Sequence, residues 1–170
     1  MTELPPALAS MYAADRVAHG WGITVGDVGP GTATIHMTVT KSMTNGLGVC
    51  HGGILFAFAD TAMAYGSNEG GDATFSTNAT IEWVAPAREG TRLSATSTRV
   101  ATRGKSAVHD IIVTDDAGET VALVRGQTLS TCRSDVDISD AHADRGSSCR
   151  PDRRGGRPRV LAGCCLLYTT

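Results

Sequence analysis

At 170 residues, with 41% hydrophobic and 19% charged side chains, the chain has the length for one domain with a real core and the composition of a globular protein. A formal net charge of −2 gives no electrostatic case for nucleic acid, and the N-terminal residues lack the basic-then-apolar pattern of a signal peptide, so none is expected. The five cysteines (Cys50, Cys132, Cys149, Cys164 and Cys165) show neither CxxC metal spacing nor a disulfide framework, which points to a cytoplasmic protein.

Residues 1–20 place Leu8, Met11, Tyr12 and Val17 on a short amphipathic helix, interrupted by Gly20 and Gly22. Trp21 to Val28 is expected as a first strand, and Gly29-Pro30-Gly31 is a turn signal. From Thr32 to Thr40 the alternation is clean. Ala33, Ile35, Met37 and Val39 share one face and Thr34, His36, Thr38 and Thr40 the other, the mark of a half-buried strand. Lys41 to Cys50 reads as a loop. A helix is expected from about Gly52 to Ser67, because Ile54 to Ala64 is apolar on every face except at Asp60 and Thr61. That stretch is too short for a membrane span, so no membrane partner is expected.

After Gly70-Gly71, the segments Phe75 to Val84, Arg92 to Thr102, Val108 to Thr114 and Val121 to Thr131 read as strands. They are separated by Pro86, Arg103-Gly104-Lys105 and Asp115-Asp116-Ala117-Gly118. Such short connections favour antiparallel neighbours. The order predicts an α+β domain over residues 1–132, with one antiparallel sheet of five to six strands curled round a long central helix. Beyond it, residues 133–170 hold seven Arg, no Lys and five Asp, with no apolar periodicity until Val160, and are expected to be a disordered tail.

Asn45-Gly46-Leu47-Gly48-Val49-Cys50-His51-Gly52-Gly53, followed by Asp60 seven residues past Gly53, resembles the signature of hotdog-fold acyl-CoA thioesterases. The continuation Asp60-Thr61-Ala62-Met63-Ala64-Tyr65-Gly66-Ser67-Asn68 is most similar to the phenylacetic-acid-degradation (PaaI-type) branch. The resemblance spans roughly residues 10–132. It implies hydrolysis of an acyl-CoA thioester at a dimer interface, homodimers or homotetramers, and no metal or cofactor beyond the CoA of the substrate.

Thioester hydrolysis needs a group to polarise the carbonyl oxygen and one to deliver water or attack directly. A helix N-terminus presents unpaired N–H groups and a positive dipole end, and glycines let a ligand come close. Gly52 and Gly53 therefore suit an oxyanion hole, with the Gly53 amide the donor that the resemblance implies. A Gly-rich turn with no ligand is the plain alternative. Asp60 is the candidate base or nucleophile, expected to be buried among Phe56, Phe58, Met63 and Ala64 with its pKa raised by desolvation. Gly53 and Asp60 are separated by about 10 Å along a helix at 1.5 Å per residue, so one helix cannot bring both to one carbonyl, whereas two antiparallel helices can.

His51 reads as an orienter of the loop more than as a general base, since about 13 Å of helix separates it from Asp60. Asn45 is either a turn-former or a contact to the acyl group. Thr77 stands where the family often places a hydroxyl near the carboxylate, and Arg103, Gly104 and Lys105 are candidates for CoA phosphates or simply a charged hairpin. The expected activity is hydrolysis of aryl-acetyl or medium-size acyl-CoA. A hotdog hydroxyacyl-thioester dehydratase and a non-catalytic acyl-CoA binding protein remain as alternatives.

Overall fold

The computed structural model describes residues 4–131. Helices α1 (Pro6–Ala14) and α2 (Arg16–Gly20) precede strands β1 (Thr24–Gly29) and β2 (Thr32–Thr38). The long helix α3 (Gly52–Ser67) follows, then β3 (Thr74–Trp83), β4 (Arg92–Arg103), β5 (Ser106–Thr114) and β6 (Thr120–Ser130). The expected α+β hotdog arrangement is what forms, with all six strands in one antiparallel sheet. Residues 132–170, with the expected tail and four of the five cysteines, lie outside the described residues.

Two local expectations are corrected. The single N-terminal helix is two helices, broken at Asp15, whose backbone is extended and whose carboxylate accepts from the Ala18 N–H at 2.9 Å. This is an N-cap, and it satisfies a donor that a continuous helix would have paired internally. The other Asp15 oxygen accepts from the Tyr65 hydroxyl at 3.2 Å, which ties the N-terminal segment to α3. The first strand starts at Thr24 rather than Trp21, because Trp21 caps α2 and Gly22 turns the chain at φ +65°.

The sheet order is β1-β2-β4-β5-β6-β3. The helical connection carries the chain from β2 to the far edge, and this crossover lays α3 over the inner face. Ile35, Leu93, Ile111 and Val113 from the sheet form one core with Leu55, Phe58, Ala62 and Met63 of α3. Fully burying each of these side chains larger than Ala62 stabilises the fold by about 1.5–3 kcal/mol. Gly126 of β6 makes the close approach possible, since a Cβ there would run into the Met63 sulfur.

The helix is not wrapped on all sides, as its apolar composition suggested. One sheet covers one side, and Ile54, Phe56, Ala57, Asp60, Thr61 and Ala64 remain half-exposed. The edge strand β3 beside that open face carries Trp83, 59% exposed, and Phe75, 51% exposed. No helix among the described residues is long and apolar enough to cross a membrane.

Candidate active site

His51 is the N-cap of α3. Its own N–H is anchored on the Met43 carbonyl at 2.8 Å, and its carbonyl accepts from the Ile54 and Leu55 N–H groups. Its ring Nδ1 accepts from the Gly53 N–H at 2.9 Å. The loop-orienting role expected of His51 is thus a side-chain cap. With Nδ1 accepting, the ring proton of the neutral imidazole sits on Nε2, and His51 is exposed.

This geometry alters the expected oxyanion hole. The Gly53 amide is not vacant, because the preceding imidazole occupies it. The helix start therefore leaves the Gly52 N–H without an acceptor among the described residues, while the Gly53 N–H is held by His51. Trp83, which sequence reasoning missed, donates its indole N–H to the Gly52 carbonyl at 3.2 Å. A Cβ on Gly52 would meet that indole nitrogen at 2.8 Å, so the position requires glycine or a shifted Trp83.

Asp60 sits on the open side of α3, half-buried rather than enclosed by Phe56, Phe58, Met63 and Ala64. Its Oδ1 accepts from the Ser76 hydroxyl at 2.7 Å, a bond of charge-assisted length. Within the chain, the hydroxyl bonded to the carboxylate is that of Ser76, and Thr77 makes no such bond. β3 bulges between Ser76 and Asn78, and the extra residue, Thr77, donates instead to the Gln127 carbonyl at 3.3 Å. Strict alternation along the strand does not foretell a bulge.

The Asn45 side-chain oxygen accepts from the Leu47 N–H at 2.9 Å and the Val49 N–H at 3.4 Å, so it shapes the loop ahead of α3. Cys50 is buried, and burial pushes its thiol pKa up, which makes it a poor nucleophile. Arg103, Gly104 and Lys105 form the β4–β5 turn, with Gly104 at φ +60°. Gly104 and Lys105 line a cavity with Ser67, the last residue of α3. Within one chain that is about 21 Å of helix from Gly53. Among the described residues no group of three or more His, Cys, Asp or Glu side chains is placed to hold a metal.

The sequence profile of the thioesterase superfamily matches residues 47–122. The acyl-coenzyme A thioesterase PaaI of Escherichia coli is 41% identical over 120 residues, which are 70% of this chain and 85% of that protein. The chain belongs to the hotdog-fold thioesterases, in their PaaI branch. A solved structure of E. coli PaaI superimposes with a TM-score of 0.72 at 35% identity, over 76% of this chain and 96% of that one. The Thermus thermophilus phenylacetic acid degradation protein PaaI, in a mutant form, gives a TM-score of 0.66 at 27% identity over 69% of this chain and all of its own. In this thioesterase the matched segment contains His51, Gly53, Asp60, Ser76 and Trp83.

Proposed function

We propose that the protein hydrolyses acyl-CoA thioesters to a free acid and CoA, in sites that each combine the α3 N-terminus of one subunit with Asp60 of another. The observation that carries this reading is the placement of Asp60, bonded to Ser76, on the open face of α3 beside a sheet edge that is unpaired among the described residues. An edge strand with free N–H and C=O groups is a template for pairing. If β3 pairs antiparallel with its counterpart about a two-fold axis near Ala79, the Trp83 end of one strand lies beside the Ser76 end of the other. Trp83 marks the helix start through Gly52, and Ser76 marks Asp60. The pairing therefore closes the 10 Å gap that one helix leaves.

In such a site the donors at the helix start bind the carbonyl oxygen, and Asp60 takes a proton from water as the hydroxide adds to the carbonyl carbon. The tetrahedral intermediate then expels CoA thiolate, which is protonated on release. Direct attack by Asp60 would expel CoA thiolate and give a mixed anhydride that water opens; where water attacks the aspartyl carbonyl, oxygen-18 from water enters the Asp60 carboxylate in a single turnover. CoA is part of the substrate, and the scheme uses no metal or cofactor. Gly52 and Asn45 border the acyl end, while Thr77, Arg103, Gly104 and Lys105 are assigned to substrate contacts from a neighbouring subunit.

The likeness to PaaI proteins favours aryl-acetyl over long-chain acyl groups, and a cytoplasmic location follows from the same substrate class. On the outer face of the sheet, Ile112 and Leu123 pair across β5 and β6 and are both exposed, an apolar patch on which a second dimer would complete a homotetramer. A thiol-release assay with acetyl-, hexanoyl-, phenylacetyl- and 3-hydroxyacyl-CoA tests the reading, with the highest kcat/KM expected for phenylacetyl-CoA. Loss of water from the hydroxyacyl substrate without thiol release would instead identify a dehydratase, and binding without either reaction a carrier.

A further inference from the structure

Where α3 ends, the sheet continues, and between them lies a cavity of about 190 Å³. His109 and Thr128 line it, and they are 0% and 2% exposed. Their His109 Nε2 and Thr128 Oγ1 atoms are buried without a hydrogen-bond partner among the described residues. Buried polar atoms are ordinarily satisfied, so two orphans on the wall of one cavity point to something that fills it. The strand register puts them side by side: Arg99 faces His109 across β4 and β5, and Ala107 faces Thr128 across β5 and β6, which leaves His109 and Thr128 diagonal neighbours.

The tautomer follows from the neighbours. The buried Ser97 hydroxyl lies 3.3 Å from His109 Nδ1 and has no other acceptor among the described residues. Donation from Ser97 satisfies both groups and leaves the ring proton on Nε2. Burial and the positive charge of Arg99 push the His109 pKa down, so the ring is neutral. The same positive field favours an anion at this spot. Glu69, on the wall, accepts from the Gly31 N–H at 3.0 Å and faces Arg99 at 3.7 Å, so its charge is already partly met. Asp72 stands exposed at the rim.

We propose that this cavity binds a small organic monocarboxylate, its oxygens accepting from His109 Nε2–H and Thr128 Oγ1–H and its charge balanced by Arg99. The wall carries two cations, Arg99 and Lys105, against two carboxylates, Glu69 and Asp72, so beside the two neutral donors it suits a monoanion better than a phosphate dianion. Cavities of about 150 Å³ take up benzene, so an acid of acetate to benzoate size fits. Gly104 and Lys105, assigned above to substrate contacts, share this wall, but His109 and Thr128 belong to neither the catalytic nor the substrate-binding set, and their signals report this site alone.

The test is a histidine ring NMR titration of the full chain with sodium acetate, ionic strength being held constant with sodium chloride. Sodium phosphate forms a second arm, and His109→Gln identifies the signal. Acetate should move the His109 resonances saturably and raise the His109 pKa, and Thr128→Val should weaken the effect at least tenfold. Binding at the catalytic site would move His51 instead. An unmoved His109 signal, saturation by phosphate alone, or an effect unchanged in Thr128→Val overturns the proposal and leaves a water-filled cavity. Should Thr128→Val fail to fold, the wild-type titration decides alone.

Discussion

Asp60 and Ser76 share a 2.7 Å hydrogen bond, and the two side chains predict different kinetic losses. Asparagine at position 60 keeps the shape and gives up the basicity, so Asp60→Asn should lower kcat by about 10²–10⁴ with the oligomer unchanged by size-exclusion chromatography. Near-wild-type turnover would make Asp60 structural. Ser76 acts through Asp60 by holding one of its oxygens. Its removal should cost about tenfold in kcat, with KM little altered, as expected for loss of one charge-assisted bond. Thr77→Ala should cost less than Ser76→Ala, because the Thr77 hydroxyl is held by the Gln127 carbonyl. The reverse ranking in steady-state kinetics would overturn the assignment of Ser76. The type and spacing of His51, Gly53 and Asp60 were legible in the chain, since a helix converts sequence separation directly into distance. Ser76 was not, since a one-residue bulge decides which hydroxyl faces the helix.

Elements were readable where local chemistry decides them. The expected limits of α3 coincide with those observed, because Gly52 and Gly53 follow a capping residue and Gly70-Gly71 lies just past the end. The break between α1 and α2 was not foreseen, because the apolar spacing of Leu8 to Val17 runs through it. Asp15 settles that break with one oxygen on the Ala18 N–H and the other on the Tyr65 hydroxyl. Asp15→Ala should therefore destabilise the fold by about 1 kcal/mol through the lost cap, a fall of a few degrees in Tm by calorimetry. Activity at 25 °C should persist, as the N-terminal helices contribute no proposed catalytic group. An unchanged Tm would show that the cap is energetically idle.

The assembled molecule is where the catalytic reading is tested most sharply. Gly53→Pro removes the Gly53 N–H together with the bond to His51, at a position near the helix start where proline is tolerated. Its homodimers, and those of Asp60→Asn, should be nearly inactive while remaining folded by circular dichroism. Subunit exchange between the two variants would create heterodimers with one intact and one doubly damaged site, restoring up to about half of the activity per heterodimer. Heterodimers confirmed by mass that stay inactive would show that the two residues do not meet across an interface. Deletion of residues 133–170 should leave Tm and kcat within error of the full chain, because that stretch carries no core pattern before Val160. A large drop in Tm would place it in the fold.

The chain by itself determined the order of elements, the antiparallel habit of the strands, and the register of His51, Gly53 and Asp60 on one helix. Those features arise from period and from neighbours within a few residues. Tertiary structure alone decided that β3 would lie at the edge beside β6, that one side of α3 would stay open around Asp60, and that Trp83 would meet Gly52. It also brought His109 and Thr128 together on one cavity wall. Each of these depends on which strands pair and where a bulge shifts the register, and pairing energy comes from contacts between residues far apart in the chain, which no local pattern encodes.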